Sequence, residues 1–333
     1  MPPPELSVIV PCKLAGASGV ETRGAMLRLC LAALSCQTAS DDAFEVIVVD
    51  DGSDVAVDCF LAAHAAESTS LRPRVVRNPG PSHGQEAAYN YGVAQARGRI
   101  VLLTTDDSIL APDAVSCHIA RHAQRGRAAY LCGVERQYVY GVLFRNIITG
   151  DLHPRGDLAV RSFGSLLGFA DLRRTAEQLG FTGWKVTADT VRHRFPELYR
   201  MSAATPGFED MYRELESARS DLDWLAVRMG NHSIPRSALL ELGGLDAAVV
   251  GGNSDQDLGL RIQQAGLDIA LIRDARSVLL EHRRDLRSFA GDGGLAVLAE
   301  RWPRKDVAQL RAYFSLGYER SISAYRRFLE TSH

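Results

Sequence analysis

Short apolar runs alternate with helical patterns through the first half of the chain. The runs cover residues 6–10, 45–49, 74–77 and 100–103. They do not alternate with polar residues, which is typical of strands that are buried on both faces of a parallel sheet. Between the first two runs, Leu27, Leu31 and Leu34 recur at the spacing of one helix face. The pattern predicts an α/β fold in which helices cover both faces of a parallel sheet.

Further helices are predicted at residues 57–66, 85–97 and 112–124, and a further strand at 128–134. Gly98 follows the second of these helices, where a left-handed cap favours glycine. In the segment 135–228 the regular pattern gives way to aromatic and turn residues. An apolar stripe predicts one helix there, over 208–225; its members are Phe208, Met211, Tyr212, Leu215, Leu222 and Leu225. We interpret this segment as an elaboration on the sheet.

Regular signals return after residue 228. Asn253 or Ser254 is placed to cap a helix that Gly266 ends, and residues 277–280 form a candidate strand. Amphipathic helices are predicted at 294–301 and 307–329. The organisation that follows is a first half over residues 1–134, an insertion over 135–228, a second half over 229–285 and a helical extension over 286–333.

The 333 residues carry a formal charge of −2 and are 46% hydrophobic, which gives no reason to expect nucleic acid or a membrane surface as a partner. The opening "MPPPELSVIVPC" has no basic segment before its short apolar run, so we expect no signal or membrane segment and a cytoplasmic protein. The cysteines lack C-x-x-C spacing, which favours reduced core thiols over a zinc site or disulfides; they are Cys12, Cys30, Cys36, Cys59, Cys117 and Cys132.

Pairs of carboxylates follow two of the predicted strands. Asp50 and Asp51 lie in "VIVVDDGSD", and Asp106 and Asp107 lie in "RIVLLTTDDSILAPDAV". Ligands of parallel sheets bind at the carboxyl ends of the strands. The first pair is suited to accept hydrogen bonds from a base or a ribose, or else to cap the next helix. The second is suited to a divalent cation that bridges to a phosphate, or else is ordinary turn material.

Two candidates for chemistry lie in the second half. Asp255 falls in the first turn of the helix in "GGNSDQDLGLRIQQAG", where the helix dipole favours a carboxylate. It is either a stabilising residue or a general base for a hydroxyl group, with Asp257 as the nearby competitor. His282 follows a candidate strand and precedes Arg283 and Arg284. It is either a structural histidine or a third metal ligand, flanked by cations that grip phosphate.

In order and spacing these motifs resemble the family 2 glycosyltransferases with the GT-A fold. The likeness covers residues 6–135 and 229–283; it is carried by "LSVIVPC", "EVIVVDDGSD", "NPGPSHGQEAAYNYGVAQARGRIVLLTTDDS", "GNHSIPRSALLELGGLD" and "NSDQDLGLRI". The resemblance implies a Rossmann-like, mostly parallel sheet flanked by helices.

The resemblance also implies roles for single residues. Pro11 and Asp50 or Asp51 would line the nucleoside pocket, and the helix that begins at Gln85 would pack under the donor. Asp106 and Asp107 stand at the family's DxD motif, with Asp107 as the metal ligand. Asp255 falls at the position of the catalytic base of inverting members, and His282 matches a late histidine that completes the metal site in some relatives.

The chain also departs from the family pattern. The first acidic residue of the DxD motif is replaced by Thr104 or Thr105, and "PCKL" stands where "PTYN" is familiar. Tyr89 replaces the arginine of the usual "ARN", and Ser254 replaces the glutamate that normally precedes the base. These changes indicate a donor pocket that differs from the common one.

The function implied is a metal-dependent inverting glycosyltransferase that uses Mn²⁺ or Mg²⁺ and a nucleoside diphosphate donor, with a UDP-sugar in first place. The acceptor would be a hydroxyl of a saccharide or a small natural product. Trp184 and Tyr138 of the insertion would either pack against that acceptor or fill a local core. The alternative is a non-catalytic protein that binds a carbohydrate or a nucleotide on the same fold. A dinucleotide-dependent oxidoreductase is disfavoured because "VIVPCKLAGASG" lacks G-x-G-x-x-G. Whether the chain forms a homo-oligomer stays open.

Overall fold

The structure is a computed structural model, and it describes residues 2–64, 71–79, 84–125, 128–153, 159–162, 165–168, 185–204, 206–217, 219–249, 253–282, 293–315 and 321–332. The strands are β1 (Leu6–Cys12), β2 (Phe44–Asp50), β3 (Arg74–Arg77), β4 (Ile100–Leu103), β5 (Ser108–Leu110), β6 (Ala129–Tyr138), β7 (Phe144–Asn146), β8 (Asp151–Leu152), β9 (Ala159–Ser162), β10 (Ser165–Gly168), β11 (His232–Pro235) and β12 (Asp268–Leu280).

The helices of the first half and the insertion are α1 (Gly16–Leu34), α2 (Val57–Ala63), α3 (Gln85–Gln95), α4 (Ala114–Gln124), α5 (Ala188–His193), α6 (Phe195–Met201) and α7 (Pro206–Ser217). Those that follow are α8 (Arg236–Glu241), α9 (Ser254–Gln264), α10 (Gly293–Arg301), α11 (Lys305–Ala308), α12 (Leu310–Ser315) and α13 (Ile322–Thr331). Short 3₁₀ turns occupy Val139–Leu143 and Asp223–Ala226.

One eight-stranded sheet, in the order β3-β2-β1-β4-β11-β6-β12-β5, organises the chain. The pairings from β3 to β4 are parallel, as the apolar runs predicted, and β6 and β12 are also parallel. Strand β11 is antiparallel to both of its neighbours, and β5 is antiparallel to β12. The predicted α/β class is confirmed, and the sheet is mixed in its second half.

Helices cover both faces of this sheet because the strands are apolar on both. Val8 and Val10 of β1 belong to a core that α1 and α2 complete, whereas Ile9 of the same strand belongs to a second core under α3. Gly92 of α3 lets that helix lie directly on the sheet, since a Cβ there would come within 2.5 Å of an Ile9 methyl group. The close packing fixes the height of α3 above the strand ends.

Several predicted boundaries are wrong. The stripe over 208–225 is split into helix α7 and the separate turn Asp223–Ala226, and the apolar pattern over 307–329 covers several short helices. Gly98 is not a left-handed cap: a Cβ there would come within 2.7 Å of the backbone of β1, so close approach explains the glycine. Gly266, with φ of 71°, does end α9 as predicted.

The insertion shares the cores of the sheet. Phe195 and Leu198 of α6 pack in the core of α1, and Met211 and Tyr212 of α7 pack in the core under α3. Strand β6 runs through residue 135, where the insertion was predicted to begin.

All six cysteines are free thiols; Cys12, Cys30 and Cys132 are buried as expected, whereas Cys59 is exposed. Among the described helices, none combines the length and apolar character needed to cross a membrane.

Candidate functional site

The carboxyl ends of β1, β2 and β4 bring two acidic pairs to one edge of the sheet. Cys12, the last residue of β1, is paired in register with Asp50, and Ile9 is paired with Leu103 on the other side. Asp51 and the segment Thr104–Asp107 therefore leave the sheet next to each other. This is the position at which open α/β sheets bind ligands.

Asp50 stabilises the turn that follows β2. Its carboxylate accepts hydrogen bonds from the backbone N–H groups of Ser53, at 2.9 Å, and Val57, at 3.4 Å. Gly52 has φ of 76° in this turn, a conformation that favours glycine. The helix-capping alternative therefore describes Asp50, which is 2% exposed.

Asp51 faces the neighbouring strand end instead. Its Oδ1 accepts a hydrogen bond of 2.8 Å from Nδ2 of Asn78, the residue that follows β3. Pro11 is buried in β1, opposite Val49 of β2. Asn78 opens the quoted stretch that begins "NPGPSHGQ", but no role was predicted for it, although its place directly after a predicted strand was a usable signal.

Asp106 is fully buried and is held by Arg23 of α1. Arg23 Nε donates to Asp106 Oδ2 at 3.1 Å, and Nη2 donates to Asp106 Oδ1 in a bidentate pair. Burial raises the pKa of the Asp106 carboxyl, and the Arg23 guanidinium opposes that rise. Arg23 was missed in the sequence. The signal was its position four residues before Leu27, on the apolar stripe of α1.

His282 reaches Asp107 because β12 pairs with β5. Leu279 is in register with Ser108, and the backbone N–H of Leu280 donates to the carbonyl of Asp107 at 2.8 Å. This register places His282 Nε2 3.2 Å from Asp107 Oδ2. Sequence positions 175 residues apart thus meet at one point, as the family resemblance implied.

Arg23 also enters this contact. Its Nη1 lies 3.2 Å from Asp107 Oδ2 and 2.5 Å from His282 Nε2. A guanidinium has donors only, so a hydrogen bond between Nη1 and Nε2 requires the tautomer of His282 in which Nε2 is the acceptor. Within the described residues, no three Asp, Glu, His or Cys side chains are grouped so that they could hold a metal.

Asp107 and His282 nevertheless fit two ligands of one divalent ion. Ligands of an octahedral ion at about 2.1 Å lie about 3.0 Å apart, close to the 3.2 Å separation of their two facing atoms. A carboxylate oxygen and an imidazole nitrogen are also the donor types that manganese accepts. The donor set therefore fits a cation, while Arg23 Nη1 lies against both atoms.

Asp255 lies in the first turn of α9, half-buried. Its Oδ2 accepts a hydrogen bond of 3.3 Å from the backbone N–H of Met229. Burial raises the pKa of the Asp255 carboxyl to about 7; the Met229 bond and Arg228 oppose the rise, and Glu86 adds to it. The predicted position in the first turn is confirmed, but burial outweighs the helix dipole, so this carboxyl is only partly ionised at neutral pH.

Helix α3 connects Asp255 with the acidic strand end. The hydroxyl of Tyr89 donates to the carbonyl of Thr104 at 2.7 Å, and Gln85 Nε2 lies 3.5 Å from the same hydroxyl. Burial raises the pKa of Tyr89, and Asp255, Asp107 and Asp106 each raise it further. All three carboxylates therefore lie within electrostatic range of one buried hydroxyl.

Asp257 is fully buried and faces away from this region. Its Oδ2 accepts from Arg261 Nε at 2.8 Å, and its Oδ1 accepts from Arg301 Nη1 at 2.9 Å and from Trp302 Nε1 at 3.1 Å. These bonds fasten α10 and the residue after it onto α9. Asp257 therefore anchors α10 on α9.

The threonines at the departure from the DxD motif have distinct surroundings. The side-chain oxygens of Thr104 and Thr105 are buried, and neither has a hydrogen-bond partner among the described residues.

Tyr138, a candidate for acceptor packing, is 1% exposed and belongs to the core of α1, so its core alternative is correct. Trp184, Arg283 and Arg284 lie outside the described residues.

Comparison with known proteins is consistent with this geometry. The fold resembles the crystal structure of S. aureus TarS 1-349 in complex with UDP-GlcNAc, with a TM-score of 0.55, 14% sequence identity and coverage of 89% of this chain and 65% of that one. The architecture is therefore the GT-A fold. Residues 7–164 match the family described as Glycosyl transferase family 2.

Two curated relatives extend the likeness beyond the matched segment. An uncharacterized glycosyltransferase of Bacillus subtilis (strain 168), YfnE, is 26% identical over 269 residues, covering 76% of this chain and 61% of the relative. Validoxylamine A glucosyltransferase of Streptomyces hygroscopicus subsp. limoneus is 24% identical over 312 residues, covering 93% and 59%. The chain thus spans about three fifths of the length of these relatives.

Proposed function

We propose that this protein transfers a sugar from a nucleoside diphosphate donor to an acceptor hydroxyl with inversion at the anomeric carbon. One observation carries the proposal: Asp255, whose pKa is raised to about 7, lies within electrostatic range of the same buried Tyr89 hydroxyl as Asp106 and Asp107, the carboxylates of the strand end. Inverting transfer needs this pairing of a base with a site that stabilises the leaving group.

Asp255 would serve as the base. With a pKa of about 7 it is substantially deprotonated at neutral pH and still basic enough to take the acceptor proton. The acceptor oxygen then attacks the anomeric carbon on the face opposite the diphosphate, and the bond from that carbon to the diphosphate oxygen breaks. The N–H of Met229 holds one carboxylate oxygen and so orients the other toward the acceptor.

Asp107 and His282 would hold a divalent cation, Mn²⁺ or Mg²⁺, with Asp106 beside them. The cation, when bound, offsets charge that grows on the departing diphosphate. Asp51, hydrogen-bonded to Asn78, would accept a hydrogen bond from the nucleoside next to Pro11. The hydroxyl of Thr104 or Thr105 would replace the family's first acidic residue at the ribose. Gln85 would contact the donor from the start of α3.

The donor we favour is a UDP-sugar. TarS was crystallised with UDP-GlcNAc, and one relative is named a glucosyltransferase that acts on validoxylamine A. A hydroxyl-rich saccharide or small natural product is accordingly the acceptor class to try first. The four-part division at residues 134, 228 and 285 stays a prediction, with acceptor choice placed in the second part.

The test is a transfer assay with purified protein, UDP-glucose, UDP-GlcNAc and GDP-mannose, Mn²⁺, and a panel of polyhydroxylated acceptors. Release of nucleoside diphosphate that depends on an acceptor, with inverted anomeric configuration in the product by NMR, is the expected result. A product of retained configuration would contradict the mechanism, and release unaffected by Asp255→Asn would contradict the base.

A second candidate is a non-catalytic protein that binds a nucleotide sugar. The observation in its favour is the pair Thr104 and Thr105 in place of the first acidic residue of the DxD motif. This candidate predicts that a UDP-sugar raises the unfolding temperature, because a ligand stabilises the state that binds it, while no donor is consumed with any acceptor or with water.

A further inference from the structure

Arg23 lies where a cation shared by Asp107 and His282 would be bound. Its Nη1 is 3.2 Å from Asp107 Oδ2 and 2.5 Å from His282 Nε2, the same two atoms whose spacing fits one divalent ion. The other two nitrogens, Nε and Nη2, are bonded to Asp106. The positive charge of one guanidinium is therefore shared between both carboxylates of the strand end, Asp106 and Asp107.

Arg23 and a metal ion would compete directly for the lone pair of His282 Nε2. A guanidinium offers donors only, so the Nε2 lone pair of His282 accepts from Arg23. An imidazole binds a metal through that kind of lone pair as well. Arg23 Nη1 and a metal therefore cannot occupy the contact together, and placing a divalent charge next to a guanidinium is also electrostatically unfavourable.

The position of Arg23 on α1 allows the exchange. Its side chain is 28% exposed, whereas that of Asp106 is fully buried. The partly exposed arginine, and not the buried carboxylate, is therefore the group that can turn toward a diphosphate at the strand end. A phosphate is a good bidentate partner for a guanidinium, so a donor offers Arg23 a replacement for the contact it gives up.

We propose that Arg23 is an internal counter-ion that keeps a divalent cation from Asp107 and His282 until a nucleoside diphosphate is present. Metal and donor then bind together, with Arg23 transferred to the phosphate. The inference rests on the cation assignment made under the proposed function. It adds a residue that sets the order in which ligands are bound.

The experiment measures Mn²⁺ binding from the free-ion EPR signal, with and without UDP, and needs no turnover. Arg23→Gln removes the charge, and Arg28→Gln is the matched control: it is also half-buried on α1 but lines a separate groove with Leu61 and Leu71. Without UDP, Arg23→Gln should bind Mn²⁺ at least tenfold more tightly than the native protein, and Arg28→Gln should not. The gain in Mn²⁺ affinity that UDP brings should shrink in Arg23→Gln alone.

Two more variants keep the test decisive. Arg23→Lys retains a charge and so protects folding, but a compact ammonium lacks the planar fork that pairs with Asp106 and at the same time reaches Asp107 and His282. Its Mn²⁺ affinity should therefore lie between those of Arg23→Gln and the native protein. Arg23→Gln combined with Asp107→Asn should lose the tight binding, which places the ion at this contact. In Arg23→Gln, Mn²⁺ should also raise the unfolding temperature more than it does in the native protein.

The inference is overturned if native protein and Arg23→Lys bind Mn²⁺ equally well without UDP while Arg23→Gln gains nothing, or if the double variant binds as tightly as Arg23→Gln. These outcomes are separate from failure of the proposed function. A protein that shows the Mn²⁺ differences but transfers no sugar retains the exchange and loses the activity. Sugar transfer without the differences in Mn²⁺ binding would retain the proposed function and overturn the role of Arg23.

Discussion

The hydroxyl of Ser254 donates a hydrogen bond of 2.8 Å to Oε1 of Glu86. This contact joins the first turn of α9, which carries Asp255, to the first turn of α3, which lies over the sheet. A second contact reinforces it: Asn90 of α3 donates to the carbonyl of Leu245 and accepts from its N–H. The two halves of the site are thus fixed to each other through α3.

Replacing Glu86 tests the electrostatic part of this contact. Because a base acts when deprotonated, kcat/KM of the native protein should rise with pH through about 7, the pKa of Asp255. Glu86 contributes to the raised pKa, so Glu86→Gln, which keeps an acceptor for Ser254, should move this rise to lower pH. The control is Glu241→Gln on the exposed side of α8. An identical profile for both variants would remove Glu86 from the site.

Asp255→Asn should lower kcat for transfer by at least about 10², since general-base catalysis contributes about 10² to 10⁴. Donor binding should be retained. The pKa of Asp255 in the folded protein lies above its ordinary value, so ionising this carboxyl costs stability. That loss develops as the pH rises and is complete above about 7. The variant should therefore be no less stable than the native protein at pH 8, as measured by urea unfolding. A clear loss of stability at pH 8 would mark Asp255 as a structural residue.

Asp257→Asn should act on stability instead. Asp257 accepts three hydrogen bonds from Arg261, Arg301 and Trp302 in a fully buried position, and an amide cannot replace both oxygens. We expect the free energy of unfolding to fall by about 1–3 kcal/mol, the usual penalty for a disrupted buried polar group. Residual activity at low temperature should stay close to native. Normal stability combined with lost transfer would instead identify Asp257 as the base.

Removal of the cation should abolish transfer, and Mn²⁺ should restore it at least as well as Mg²⁺. The reason is His282, because magnesium favours all-oxygen shells and manganese accepts imidazole more readily. Asp107→Ala should lose metal-dependent donor binding and still bind a neutral nucleoside beside Asp51. Calorimetric titration with UDP and uridine separates the two; full turnover in excess EDTA would be the contrary result.

A buried histidine network predicts sensitivity to acid. His118 Nδ1 and His122 Nε2 lie 2.7 and 2.9 Å from the hydroxyl of Ser233 in β11, and burial lowers the pKa of His118 to about 4 and that of His122 to about 3. Since both must gain a proton below their ordinary pKa, stability should be complete above about pH 6.5 and fall progressively toward pH 4.

His122→Gln keeps a nitrogen for Ser233 but cannot take up the proton. Its free energy of unfolding should therefore fall less between pH 6.5 and 4 than that of the native protein, by about 1 kcal/mol or more. His193→Gln, at an exposed position, is the control. Equal declines in all three proteins would show that other groups dominate the acid response.

Local sequence patterns alone predict the layers of the fold and the places of the acidic groups. Apolar runs such as residues 46–49 and 100–103 form strands because a short stretch with no polar side chain must be buried on both faces. The carboxylates follow those strands directly, so their place at the sheet edge comes with the strand direction. The position of Asp255 in the first turn of α9 was equally local, since Gly266 ends the helix and its period fixes the start.

Which groups lie in contact depends on the tertiary structure. His282 reaches Asp107 through the antiparallel register of β5 and β12, and no local pattern records a pairing between strands so distant in sequence. Arg23 lies on an apolar helix stripe, and its partner became visible only with α1 packed on the sheet. Asp255 and Asp257 are alike in the sequence; the packing of α10 buries one among cations, while the fold leaves the other facing the site. The contacts of each carboxylate depend on long-range packing, so they differ although the two residues lie in the same helix turn.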